Sequence, residues 1–128
     1  ALTDEVTGLI VELGANDALR GLSLKAMRAN LTRMAQLSRA AGAQVLILEM
    51  RVPPNYGAVY AQEFQQSFTQ VAHEQKAGLV PFFMAEIALK PEFFQDDGLH
   101  PNAKAQPKLL DTVWPVLKPH LNTDAARK

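Results

Sequence analysis

The sequence predicts a doubly wound α/β sandwich built on a parallel sheet, and three observations lead there. Short runs that are apolar at nearly every position, instead of at alternate ones, occupy Thr7 to Leu13 (TGLIVEL), Gln44 to Met50 (QVLILEM) and Leu79 to Phe83 (LVPFF). Stretches with apolar residues at spacings of three and four separate them. Strands apolar throughout are covered on both faces, and a regular strand–helix alternation is what supplies the cover.

The first run is the first strand. Ser23 then caps a helix in which Leu24, Met27, Leu31, Met34 and Leu37 form one face, and Gly42 ends it. The second run follows, completing one βαβ crossover. A second helix spans Ala58 to Lys76, with Val59, Phe64, Phe68, Val71 and Ala72 near one face and Gly78 closing it. After the third run and a loop, Asn102 caps a last helix that runs toward Leu121, with Pro107 in its first turns and Pro115 expected to bend it. The tail after Asn122 (TDAARK) reads as frayed, and there are no internal repeats. A strand as apolar as LIVEL belongs in the middle of a parallel sheet, with a neighbour on each edge. Because it is the first strand here, residues 1–128 read as a single but partial domain whose preceding strands lie elsewhere.

The 128 residues, 48% hydrophobic and 20% charged, are ordinary globular material for one core. Thirteen Lys and Arg balance thirteen Asp and Glu, so nothing draws the chain to nucleic acid or to anionic lipid. A small-molecule partner is expected. The absence of cysteine excludes disulfides and thiolate nucleophiles, and no apolar run approaches the ~20 residues that span a bilayer.

Open parallel sheets bind ligands at the carboxyl ends of their strands. The loop after the first strand reads Gly14-Ala15-Asn16-Asp17. Gly14 permits a tight turn there, and Asn16 offers an uncharged amide donor suited to a developing oxyanion; the alternative is a simple turn. The second cluster, Asp96-Asp97-Gly98-Leu99-His100-Pro101, precedes the last helix. An Asp three residues ahead of a His can reach the imidazole Nδ1 across a turn that Gly98 permits, leaving Nε2 as a general base. Asp96 competes for that role, and a merely solvated polar loop is the alternative. His73 and His120 read as surface or helix-end residues and not as metal ligands. Glu12, in a strand, calls for an ion-pair or hydrogen-bond partner. Phe82, Phe83, Phe93, Phe94 and Trp114 read as core or pocket wall. Gly14 to Gly21 lacks the spacing of a nucleotide fingerprint.

Taken together, G-x-N-D after a strand and D-G-x-H-P before the final helix resemble the third and fifth blocks of the SGNH (GDSL-type) hydrolases. VELGANDALRG, RVPPNYG, VPFFM and QDDGLHPN extend the resemblance to the bacterial thioesterase I/lysophospholipase L1 branch, from Thr7 to Leu121. The resemblance implies a flavodoxin-like three-layer α/β/α sandwich lacking its N-terminal strands, and a serine hydrolase of acyl esters and thioesters that needs no cofactor. Residue by residue it makes Asn16 the oxyanion donor, Asp97 the acid and His100 the base, with Gly14 and Asp17 flanking. Leu19 to Leu24 resembles a mobile substrate-sensing loop, and Arg51 to Tyr56 a loop beside the acyl pocket. The acyl group is expected near Leu22, Val52, Pro54, Tyr56 and Phe83. A periplasmic or secreted bacterial location is implied as well.

One departure outweighs the matches. The family's Gly-Asp-Ser nucleophile block and the Gly donor after it have no counterpart, since Ser23, Ser38 and Ser67 are the only serines and none follows Gly-Asp. The nucleophile is therefore expected in a segment N-terminal to this chain. That segment, or a self-associated second copy, is expected to pair the open edge of the first strand, or an apolar gap to mark its place. Two alternatives stand beside this reading: an acetylesterase acting on carbohydrate or other small acyl esters, and a non-catalytic flavodoxin-like binding module.

Overall fold

The computed structural model describes residues 2–3, 5–52 and 54–121. Three parallel strands, β1 (Gly8–Val11), β2 (Gln44–Leu48) and β3 (Gly78–Val80), form one sheet in the order β1-β2-β3. Between β1 and β2 come α1 (Ala15–Leu19) and α2 (Leu24–Ala40); α3 (Ala58–Glu74) joins β2 to β3, and α4 (Gln106–Leu121) closes the chain. The predicted α/β fold is the observed one. All three strands are shorter than their apolar runs, because the run ends become the loops that carry the site.

The start of α2 follows from one side chain, since the Ser23 hydroxyl accepts the Ala26 N–H at 3.2 Å. Its buried face is Leu24, Met27, Leu31, Ala35 and Ser38, while Leu37 is 44% exposed. The stripe thus turns away from the predicted Leu37. Ser38 can be buried there because its hydroxyl donates to the Met34 carbonyl at 2.7 Å. In α3, Phe64, Phe68, Val71 and Ala72 are buried as expected, but Val59 in the first turn is exposed. The left-handed residue after α3 is Lys76 (φ 54), and Gly78 opens β3 instead of closing the helix.

Gly78 is there for space. A Cβ on it would lie 2.7 Å from Nε2 of His120 and 2.8 Å from Cδ1 of Leu46. His120, expected merely at a helix end, is half-buried, and its Nδ1 is 2.8 Å from Oε1 of Gln44. Residues 44, 46 and 78 thereby meet α4. Alternation turns Val45 and Ile47 to the opposite face, where α2 and α3 pack on each other and on the sheet. The result is three layers.

The layers are unequal. The α2–α3 side contains Met27, Leu31, Phe64, Phe68 and Val71, all fully buried, with the Phe64 and Phe68 rings edge to face at 5.1 Å. No residue of α4 is buried, and Trp114, predicted as core or pocket wall, is 42% exposed. Asn102 caps the turn Ala103–Ala105 that leads into α4, its side chain accepting the Ala105 N–H at 3.3 Å. β1 stands at the sheet edge, paired only with β2 among the described residues, and Ile10 is 49% exposed. Beside it lies an apolar groove of about 270 Å³ between Gly8, Ile10, Leu46, Leu117 and Leu121. The TDAARK tail lies outside the described residues.

Candidate active site

The turn after β1 is set by Gly14. At φ 115 a side chain would be strained, and a Cβ would lie 3.0 Å from Cζ of Phe68 and 3.1 Å from Sδ of Met27. A bare backbone can therefore press on the core and leave it at once as α1. This places Asn16 in the first turn of α1, exposed, with its side-chain amide free of hydrogen bonds among the described residues. Its main-chain carbonyl accepts the Arg20 N–H at 3.1 Å, which holds the short helix in shape.

The loop before α4 is closed by its own hydrogen bonds. Phe94 and Pro101 form an antiparallel bridge, Gln95 N–H donates to the His100 carbonyl at 2.7 Å, and Gln95 Nε2 donates to the Pro101 carbonyl at 3.1 Å. Asn102 fastens the base, donating from Nδ2 to the carbonyls of Glu92 at 2.8 Å and Phe94 at 3.2 Å. Within this frame Gly98 takes φ 68, and its N–H donates to the Gln95 carbonyl at 2.9 Å.

The turn brings Asp97, and not Asp96, to the imidazole. Oδ2 of Asp97 is 2.5 Å from Nδ1 of His100, while Oδ1 accepts the N–H groups of Leu99 at 2.8 Å and His100 at 3.0 Å. The His100 side chain and those two backbone donors hold the Asp97 carboxyl down at about 2 from an ordinary 3.8. An ionised Asp97 can only accept, so the pair selects the tautomer with its N–H at Nδ1, and Nε2 points away from the pair. Nε2 makes no hydrogen bond among the described residues, and the His100 side chain is 72% exposed.

Asn16 and His100 line one cleft of about 890 Å³. Its walls are mainly apolar and include Leu13, Leu19, Met34 and Met84. Gly14, Asp17 and Val52 border it, as do Phe82 and Phe94. Leu22 and Tyr56 do not line it: the Leu22 carbonyl accepts the Tyr60 hydroxyl at 3.3 Å, and Tyr56 lies in the turn Pro54–Tyr56. Phe83 is in the core, and the side chain of Pro54 lies outside the described residues.

No serine reaches the cleft. Ser23 is the α2 cap, and Ser38 and Ser67 are buried with their hydroxyls donating to the carbonyls of Met34 and Glu63, each at 2.7 Å. Among the described residues no group of three or more His, Asp or Glu is placed to hold a metal. No helix there is long and apolar enough to cross a membrane.

The buried carboxylate of the rim is Glu49, not Glu12. Glu12 lies beyond the end of β1 and is exposed, whereas Glu49, just past β2, is 4% exposed and accepts from Phe82 N–H at 3.0 Å and Arg51 Nε at 3.3 Å. A carboxylate inside the run LILEM was the sequence signal for it. The second strand has neighbours on both sides, so its end is covered while that of β1 is not.

Comparison with known proteins gives the family. The model of the GDSL-like lipase/acylhydrolase family matches residues 2–106. Esterase TesA of Pseudomonas aeruginosa is 46% identical over 121 residues, covering 94% of this chain and 60% of that protein. The Escherichia coli K12 thioesterase 1/protease 1/lysophospholipase L1 is 41% identical over 117 residues, 91% of this chain and 56% of its own length. The crystal structure of the psychrotrophic esterase EstA from Pseudoalteromonas sp., inhibited by monoethylphosphonate, superposes with a TM-score of 0.84 at 46% identity, over 91% of this chain and 63% of that one. The chain thus spans less than two thirds of each of these relatives. With its family model matched over most of the sequence and its fold shared with solved esterases, the chain belongs to the GDSL-like lipase/acylhydrolase family.

Proposed function

We propose that the intact protein hydrolyses carboxylic ester and thioester bonds of acyl chains, lysophospholipids among them, through an acyl-serine intermediate. The observation that carries this reading is the Asp97–His100 pair, bonded through Nδ1, on the rim of an apolar cleft that the unpaired Asn16 amide also lines.

In this scheme a serine from a segment outside these 128 residues attacks the carbonyl carbon. Nε2 of His100 takes the hydroxyl proton and returns it to the departing alcohol or thiol as the acyl–oxygen or acyl–sulfur bond breaks. Asp97 orients the ring and stabilises the transient imidazolium. The Asn16 side-chain N–H donates to the oxyanion while the carbonyl is tetrahedral. Water, deprotonated by the same His100, then releases the acid from the serine. No cofactor enters.

The nucleophile-bearing segment packs along the open edge of β1, and this chain by itself is inactive. Walls of Leu and Met favour an aliphatic acyl chain over a small polar acyl group, with chain-length selection of a few kcal/mol at most. The relatives named as esterase and thioesterase support the same substrate class. A periplasmic or secreted location accompanies this reading, and cell fractionation tests it.

The decisive kinetics are those of a parent protein carrying the nucleophile, assayed with a chromogenic acyl ester. Asn16→Ala is expected to lower kcat ~10²- to 10³-fold with KM little changed, and His100→Ala by roughly 10⁴-fold or more. Turnover that survives His100→Ala contradicts the scheme, and an unchanged rate for Asn16→Ala reduces that residue to a turn former.

A further inference from the structure

The cleft is bordered by charges of both signs. Glu12 and Asp17 border it where the chain leaves β1, and Arg51 borders it where the chain leaves β2. The Arg51 guanidinium is held from two sides. Its Nε donates to Oε2 of Glu49 at 3.3 Å, and its Cζ stands 5.1 Å from the centroid of the Phe82 ring. The same Glu49 oxygen accepts the Phe82 N–H at 3.0 Å, so carboxylate, ring and guanidinium are one unit. Nη1 and Nη2 make no hydrogen bond among the described residues, and the Arg51 side chain is 47% exposed.

A planar cation fixed at its inner edge, with its outer fork free, matches two oxygens of a phosphate or similar oxyanion. Nearby Glu49 cancels much of the charge at a distance. What survives is short-range, two-pronged recognition instead of general attraction.

We propose that Arg51 is a specificity-determining residue that receives an oxyanion, such as phosphate, carried by the leaving group, and so selects anionic acyl esters and thioesters over neutral ones. This rests on the esterase reading above. The acyl chain then takes the Leu- and Met-walled part of the cleft, and the anion lies against the free fork of Arg51 past the end of β2.

Neither ligand has an acyl bond to cleave, so the test uses the intact parent protein, titrated with octyl phosphate and with octyl glucoside and followed by amide chemical shifts. The wild-type parent is expected to bind octyl phosphate about tenfold more tightly than octyl glucoside. Arg51→Gln is expected to bring the two affinities together by weakening octyl phosphate alone. A wild-type parent that does not distinguish the two ligands overturns the proposal, as does a preference that persists in Arg51→Gln. Equal weakening of both ligands also overturns it, since Arg51 is then only a prop for Phe82. No bond is cleaved in this measurement, so its outcome is independent of whether His100 and Asp97 hydrolyse anything.

Discussion

The two faces of the sheet differ in how they are held. On one, α2 and α3 seal Met27, Phe64 and Phe68 from solvent; on the other, α4 contributes no buried residue and leaves Leu110 57% and Leu121 56% exposed. Dispersion and apolar burial therefore stabilise chiefly the first face. The second is pinned at points, such as His120 on Gln44, and continues into the open groove beside β1. The candidate site stands at the carboxyl rim shared by both faces. Asn16 is anchored there through Gly14 to the sealed face, whereas His100 is held by a loop that stabilises itself.

The largest test of this contrast is truncation on each face. Phe68→Ala is expected to destabilise the chain by about 3–5 kcal/mol in urea unfolding, and Trp114→Ala by about 1 kcal/mol or less. Similar costs for the two would break the comparison. Gly78→Ala comes next, at about 1–3 kcal/mol, because the new Cβ meets His120 and Leu46. Pairing it with His120→Ala is expected to cost less than the sum of the two single changes, since one of the two groups that obstruct the methyl is gone while Leu46 remains.

The smallest effect belongs to the loop. Asp97 has its carboxyl lowered to about 2 from 3.8, so its contribution to stability is fully present above 3.8 and is lost as pH falls through 2. Carboxyl titration by NMR is expected to show a midpoint near 2 for Asp97, moving up toward 3.8 in His100→Ala, because the imidazole is the largest cause of the depression. A midpoint already near 3.8 in the unaltered chain would mean that the pair is not formed in solution.

Much of this was legible in the sequence because the signals were local. Three apolar runs, the Ser23 cap and the three-residue spacing from Asp97 to His100 over Gly98 each depend on contacts within a few residues. What was not legible depends on non-local cover. Glu12 and Glu49 end similar runs, and only the presence of a strand on each side of β2 buries the second. Leu37 looked like core, yet Ser38 takes the buried position because a backbone carbonyl one turn back accepts its hydroxyl. Leu22 and Tyr56, expected beside the acyl group, do not line the cleft, whereas Leu13, Met34 and Met84 line it from three separate segments. His120 and Gln44, 76 residues apart, had no signal that periodicity can carry.

The central claim is that this chain holds the base, its acid partner and an oxyanion donor, while the nucleophile comes from elsewhere. A serine-reactive fluorophosphonate, applied to this chain alone and to a parent protein carrying the additional segment, tests it most directly. The account predicts no labelling of Ser23, Ser38 or Ser67 in this chain, and stoichiometric labelling of one serine in the parent that disappears in His100→Ala. Labelling of any of those three serines, or parent labelling that persists without His100, would contradict it.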